Sequence, residues 1–191
     1  LPPAERRPCF ITLDDWTVAR GRDRKMRPGV HLCGMTSGKG QEAPAPFETW
    51  VCGPLHIDAQ THDADGASYG RLLRFKTSKG AWKTWAMPQR LLAGDCTALR
   101  EELLDAGLDI DPKQRAKLGE YIAHRTPDRF IRCVTSTGWA DPGAFVLPDG
   151  VVGPAAAGVV YQSSERIGDG HGTKGTPDGW REHVAALAPG N

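Results

Sequence analysis

Apolar positions along this chain recur at two spacings. Up to residue 88 they sit in short β-branched and aromatic runs set off by Gly and Pro. That pattern predicts strands over CFITLDDWTV (9–18), VHLCGM (30–35) and ETWVCGPLHIDAQTHD (48–63), the last kinked at Gly53–Pro54. SYGRLLRFKTSKGAWKTWAMP (68–88) predicts two strands joined through TSKG, a hairpin whose Gly tolerates positive φ. ARGRDRKMRPG (19–29) and TSGKGQEAPAP (36–46) read as loops, the second a mobile one. The period then becomes helical. DCTALREELLDAG (95–107) carries Leu99, Leu103 and Leu104 on one stripe, with Asp95 or Thr97 as cap and Gly107 as stop. DPKQRAKLGEYIAHR (111–125) opens with Asp111 as cap and Pro112 at the first helical position, and its stripe is Leu118, Tyr121 and Ile122. RFIRCVTSTGW (129–139), AFVLPDG (144–150) and GVVYQS (158–163) return to strand character. A Gly-rich loop, ERIGDGHGTKG (165–175), leads to a last helix over 176–187 capped by Thr176, with Trp180, Val184 and Leu187 in helical register. The order predicts an α+β fold with mixed or antiparallel sheets and about three helices. No internal repeat and no clear boundary divides it, so residues 1–191 read as a single module; the alternative is two subdomains, 7–92 and 93–191.

Composition sharpens this only slightly. Gly 23 and Pro 15 in 191 residues favour a loop-rich protein over a helical bundle. No apolar run is long enough to span a bilayer, and LPPAERRPCF lacks a signal-peptide pattern. That start also lacks Met, which suggests a cut or processed end. Cys9, Cys33, Cys52, Cys96 and Cys133 are odd in number and form no C-x-x-C pair, which fits reduced thiols in a cytoplasm.

Most candidate chemistry is outweighed by plain structural readings. CGMTSGKG is similar to a phosphate-binding loop, but Cys33 stands where the first Gly belongs and Gly40 where Ser or Thr should meet Mg²⁺. His31, Cys33, Cys52 and His56 are zinc-compatible types at spacings unlike a common finger, and packing of alternate strand residues accounts for them. His56, His62, His124, His171 and His183 lie among Asp and Ser residues without a nucleophile elbow or H-E-x-x-H. Asp169 and His171 in the Gly-rich loop fit a surface loop better than a catalytic one. Asp141, Asp149 and Asp169, the carboxylates a Mg²⁺ enzyme would need, are spread over separate loops.

Charge is more informative locally than globally. The net charge is only +1, yet no acidic residue lies between Asp65 and Asp95. That stretch holds Arg71, Arg74, Lys76, Lys79, Lys83 and Arg90. The sign then reverses, with Asp95, Glu101, Glu102, Asp105, Asp109 and Asp111. A second basic island comprises Arg20, Arg22, Arg24, Lys25 and Arg27, relieved by Asp23 alone. Such islands bind phosphate backbones by releasing counterions, and neighbouring aromatics stack on unpaired bases. Trp82 and Trp85 lie three apart, so on a regular strand they take opposite faces and at least one belongs to the core.

Several ordered segments carry a resemblance. CGPLHIDAQTHDADGASYGRLLRFKTSKGAWKTWAMPQRLLAG, TGWADPGAFVLPDGVVGP, VVYQSSER and GTPDGWREHVAALAPGN together resemble the bacterial "domain of unknown function 927" (DUF927) family, from about Arg7 to Asn191. Members of that family are usually large proteins of phages, plasmids and integrated mobile elements, many of helicase or primase-helicase type. In them a P-loop ATPase core begins shortly after the position of Asn191. The resemblance implies an N-terminal accessory module of a replication ATPase, without the motor, without ATP hydrolysis and without cofactor or metal. It brings no catalytic residues with it.

The expected function is therefore non-catalytic DNA contact. Arg71, Arg74, Lys76, Lys79, Trp82, Lys83 and Trp85 would act from the hairpin, and Arg22, Arg24, Lys25 and Arg27 from the 20–27 loop. The expected partners are DNA, the ATPase domain and sister subunits, with no membrane. The rival expectation is an interaction or oligomerisation domain, in which the basic hairpin meets the acidic 95–111 stretch of a neighbour.

Overall fold

A computed structural model describes residues 1–18, 25–37, 43–148, 150–164, 176, 178, 179 and 181. In chain order its elements are β1 (Cys9–Leu13), β2 (Thr17–Val18), β3 (Lys25–Met26), β4 (Gly29–Met35), β5 (Pro46–Cys52), β6 (Leu55–His62), β7 (Gly70–Lys76) and β8 (Trp82–Pro88). Then follow α1 (Thr97–Asp105), α2 (Arg115–His124), β9 (Phe130–Val134), β10 (Gly138–Asp141), β11 (Ala144–Leu147), β12 (Gly150–Val152) and β13 (Val159–Tyr161). The fold is a strand-rich α+β arrangement with both mixed and antiparallel sheets. Two α-helices occur among the described residues; the helix expected over 176–187 lies almost wholly outside them.

The largest sheet has five strands in the order β13-β9-β6-β7-β8. β6, β7 and β8 form an antiparallel meander, while β9 runs parallel to β6 and β13 parallel to β9. α1 and α2 supply the crossover that a parallel β6–β9 pair requires. The sheet thus draws strands from both sides of residue 92. Its two edges meet at a single parallel bridge between Ala86 and Gln162, so the sheet curls toward itself there. β1, β4 and β5 form a second, antiparallel sheet, and β10, β11 and β12 a third. β2 and β3 pair as a two-stranded ribbon.

Several sequence readings need correction: 19–29, read as a loop, holds β3, and 129–139 divides between β9 and β10. The run 9–18 is two strands, because Asp14 and Asp15 turn away to bond elsewhere (below). The run 48–63 divides between two sheets at the Gly53–Pro54 kink, where the Gly53 N–H bonds the Asp109 carbonyl at 2.8 Å. α2 begins at Arg115 rather than Pro112, since the Asp111 carboxylate accepts the Lys113 N–H at 2.8 Å and closes a separate turn first. For α1 the N-cap is Cys96, in the left-handed region at φ +57°, rather than Asp95 or Thr97. The Asp95 carboxylate takes the Thr97 N–H at 3.2 Å and the Thr97 hydroxyl at 2.7 Å, and these bonds hold its pKa below the usual carboxylate value.

One apolar cluster joins the helices to both larger sheets. Val30, Val51 and Cys52 come from β4 and β5, and Leu55, Leu73, Phe75, Trp85 and Met87 from the meander. Leu99, Leu103, Leu118, Tyr121 and Ile122 come from the helices. A smaller cluster of Ala144, Val146 and Val159 backs the third sheet. All five cysteines are free thiols, and Cys9 faces Cys33 across the β1–β4 ladder. At the junction of sheets and helices the Tyr121 hydroxyl donates to the Leu55 carbonyl at 2.7 Å and lies 3.1 Å from the Thr12 hydroxyl. Tyr121→Phe leaves that buried carbonyl without this donor. It should cost about 1–2 kcal/mol in urea unfolding, with an unchanged slope against denaturant.

Candidate functional site

Strand alternation divides the hairpin's residues between two faces. In the β7–β8 register Leu73 pairs with Trp85 and Phe75 with Lys83, whereas Arg74 pairs with Thr84 and Lys76 with Trp82. The first set faces the helices and the core. Trp85 is 5% exposed and its indole N–H donates to the Ser163 carbonyl at 3.1 Å. Trp85 therefore braces the fold and is out of reach of a docked strand. Lys83, half-buried, shares this face.

The opposite face is open and centres on Trp82, which is 41% exposed. The Arg74 guanidinium lies 4.9 Å and the Lys76 ammonium 5.8 Å from its ring centroid, and the His56 ring packs at 5.8 Å. Each of these groups has a carboxylate partner. Arg74 Nε is 2.7 Å from Asp58, His56 Nε2 2.7 Å from Asp14, and Lys76 Nζ 3.6 Å from Asp15. Asp58 is the residue left over at the bulge between Ile57 and Ala59 in the β6–β7 ladder, which aims it at Arg74. Its hydrogen bond raises the Arg74 pKa further. Asp14 and Asp15 come from the turn after β1. The structure thus brings together Arg74, Lys76 and Trp82, and adds Asp58, Asp14 and Asp15, which sequence reasoning did not include, with His56, which it weighed only as a metal or catalytic histidine. No local signal could have found them, because the pairing is set by a bulge and by a turn 40 or more residues away.

The other expected contacts scatter. Lys79 is exposed in the β7–β8 turn, where Gly80 adopts φ +85°. Lys25 is exposed on the β2–β3 ribbon, and the exposed Arg27 lies 3.5 Å over the Trp50 ring. Arg22 and Arg24 lie outside the described residues. Arg71 is a correction: at 5% exposure it cannot meet a docked strand on the open face. Its Nη1 donates to the Gly70 carbonyl and to Gln89 Oε1, both at 3.1 Å, and its Nε has no partner. Burial lowers its pKa.

A second concavity lies at the sheet edge where β6, β9 and β13 end. This cleft of about 500 Å³ is lined by Ser68, Tyr69, Gln89, Arg90, Thr135 and the segment 162–164. Beneath it the Thr61 hydroxyl meets Gln162 Oε1, and Gln162 Nε2 donates to the Ser68 carbonyl at 2.6 Å. Gly70 is required there: a Cβ would collide with Gln162, Thr61 and the Met87 carbonyl.

Among the described residues no three His, Cys, Asp or Glu side chains gather as metal ligands, and no helix is long and apolar enough to cross a membrane. The zinc-compatible residues are occupied structurally. His31 Nε2 bonds the Arg27 carbonyl at 2.9 Å, His56 Nε2 lies 2.7 Å from Asp14, and burial pushes the Cys33 and Cys52 thiols up.

The fold and these surfaces define a strand-rich α+β domain with one tryptophan-centred open face and one polar cleft. Residues 23–191 match the model of a family described as a domain of unknown function (DUF927), and the chain belongs to that family. No curated protein matches it.

Burial of His31 lowers its pKa below 6.5, so the folded protein holds it neutral while the unfolded chain takes up a proton first. The stability this contributes is complete above pH 6.5 and is lost as the pH falls from 6.5 toward the depressed folded value. The urea midpoint of the wild type should therefore drop between pH 7.5 and 5.5, and His31→Gln should flatten that dependence.

Proposed function

We propose that this domain is a non-catalytic assembly module of a larger helicase-type protein, joining a neighbouring copy head to tail. The helicase context rests on the resemblance of its motifs to mobile-element proteins. The observation that carries the assembly reading is the pairing of Arg74, Lys76 and His56 with Asp58, Asp15 and Asp14 around an exposed Trp82. A polyanion needs net positive charge; a tryptophan rimmed by Arg and neutralised ions suits a protein surface, where Trp and Arg dominate binding energy. A complement lies across the sheet. On α1, Leu104 is 53% exposed between the exposed Glu101 and Asp105. α1 packs on the core face and Trp82 on the other, so the two patches point to opposite sides. Contacts between them are heterologous and close into rings or extend as filaments.

A second reading, single-stranded DNA contact, is favoured by Lys79 beside a cation-flanked Trp82, which is a base-stacking arrangement. With only two to three phosphates engaged, affinity would fall with salt at a log–log slope of about −2, against about −4 if five or six cations took part.

Sedimentation velocity from micromolar to near-millimolar concentration separates the two. The assembly reading expects concentration-dependent association, weakened at least tenfold in each of Trp82→Ala and Leu104→Asp, and no salt-sensitive binding of an oligonucleotide. A monomer at every concentration overturns it, and oligonucleotide binding abolished by Trp82→Ala would put the second reading in its place.

A further inference from the structure

Arg71 is the most costly charge in the described structure, and the hairpin surface does not use it. Its side chain enters the protein from β7 and is 95% shielded, as its 5% exposure implies. Among the described residues no carboxylate pairs with it. Nη1 has two neutral acceptors, the Gly70 carbonyl and Gln89 Oε1, and Nε has none. An unpaired buried cation is strongly unfavourable, and so is an unmade buried hydrogen bond. The other buried guanidinium nitrogen without a partner, Nε of Arg132, belongs to a side chain already paired with Asp141 at 3.3 Å. Arg71 stands alone in lacking the counter-charge as well.

Arg71 does not itself line the cleft described above; it lies behind the cleft's Gln89 wall, to which its Nη1 is bonded. Gln89, which accepts from Arg71, is part of the cleft wall, as are Ser68 and Tyr69 immediately before β7. Arg90 contributes the guanidinium of that wall, and Thr135, Ser163 and Ser164 are further lining residues. The nearest carboxylate of the neighbouring turn, Asp63, is already engaged. It accepts the Asp65 and Ala67 N–H groups at 3.1 and 2.7 Å and a bond from the Ser68 side chain, and these hold its pKa low. The cleft opens at the carboxyl ends of parallel strands β9 and β13, the edge at which open α/β sheets place ligands. Its volume of about 500 Å³ falls within the range of small-molecule sites.

We propose that this cleft binds a small ligand through an oxyanion group, phosphate in the first instance, with Arg71 as the buried counter-charge and Arg90 as the rim contact. The hydroxyls of Thr135 and Ser164 offer donors for the remaining oxygens, and the rest of the cleft takes the ligand body. The site is independent of the Trp82 face and of the assembly reading.

Thermal unfolding of the full chain in inorganic phosphate, against chloride at equal ionic strength, tests this directly. The midpoint should rise by several degrees in phosphate, since a ligand that binds only the folded state stabilises it by mass action. Arg71→Met keeps the stem and removes the charge. It should unfold no earlier than wild type in chloride, because replacing an unpaired buried charge by an apolar group is neutral or stabilising, and it should lose the phosphate response. Arg90→Gln, on the exposed rim, should fold normally and need about tenfold more phosphate for the same rise. Lys113→Ala, on the exposed turn before α2, should respond as wild type does. A wild-type midpoint equal in the two salts overturns the proposal, as does an undiminished response in Arg71→Met. Should Arg71→Met prove too unstable to measure, an Arg90→Gln midpoint curve identical to wild type overturns it alone.

Discussion

The register of β7 between β6 and β8 is the constraint on which the rest depends. With a side-chain period of two, that register sends Arg71, Leu73 and Phe75 inward and Arg74 and Lys76 outward. Two of the three inward residues are core members of the main cluster. A slip by one residue would bury Arg74 and Lys76 and expose Leu73 and Phe75, exchanging apolar burial for charge burial across the whole hairpin. The same alternation decides the tryptophans, so that Trp85 seals the sheet edge against Ser163 while Trp82 stands open.

The third inward residue, Arg71, is where the pattern carries a cost. The strand's core face reaches the sheet edge at Gly70 and Arg71, where packing passes from apolar to polar. Thr61, Gln162 and the Ser68 carbonyl satisfy one another there, and Gln89 with the Gly70 carbonyl satisfies the guanidinium only partly. A protein of modest stability keeps such a group when the geometry serves something besides folding. The cleft supplies a physical reason, and it separates Arg71 from the outward cations with which it shares a stretch of sequence.

Much of the fold was legible in the chain. The hairpin over 68–88, the Leu118–Tyr121–Ile122 stripe, the turn glycine Gly80 and the kink at Gly53–Pro54 all follow from local chemistry, and the structure has them where the pattern put them; of the first stripe Leu99 and Leu103 are buried while Leu104 is exposed. Strand order was not legible, because the parallel pairing of β6, β9 and β13 depends on contacts between segments about 30 to 70 residues apart. The basic island was visible as composition, but its electrostatic character was not. Asp14, Asp15 and Asp58 lie outside the acid-free stretch and reach it only through a turn and a bulge. Arg71 sat in the sequence as one more cation; its distinct role appears only once strand parity assigns it to the core face. The cleft draws on four separated segments, none of which carries a motif.

Indole hydrogen exchange tests the register most directly. In a ¹⁵N-labelled protein the Trp85 indole N–H, buried and bonded to the Ser163 carbonyl, should exchange orders of magnitude more slowly than that of Trp82. Equal rates, or a protected Trp82 with a labile Trp85, would mean that the strand is set one residue out. The two faces derived from it would then be reversed.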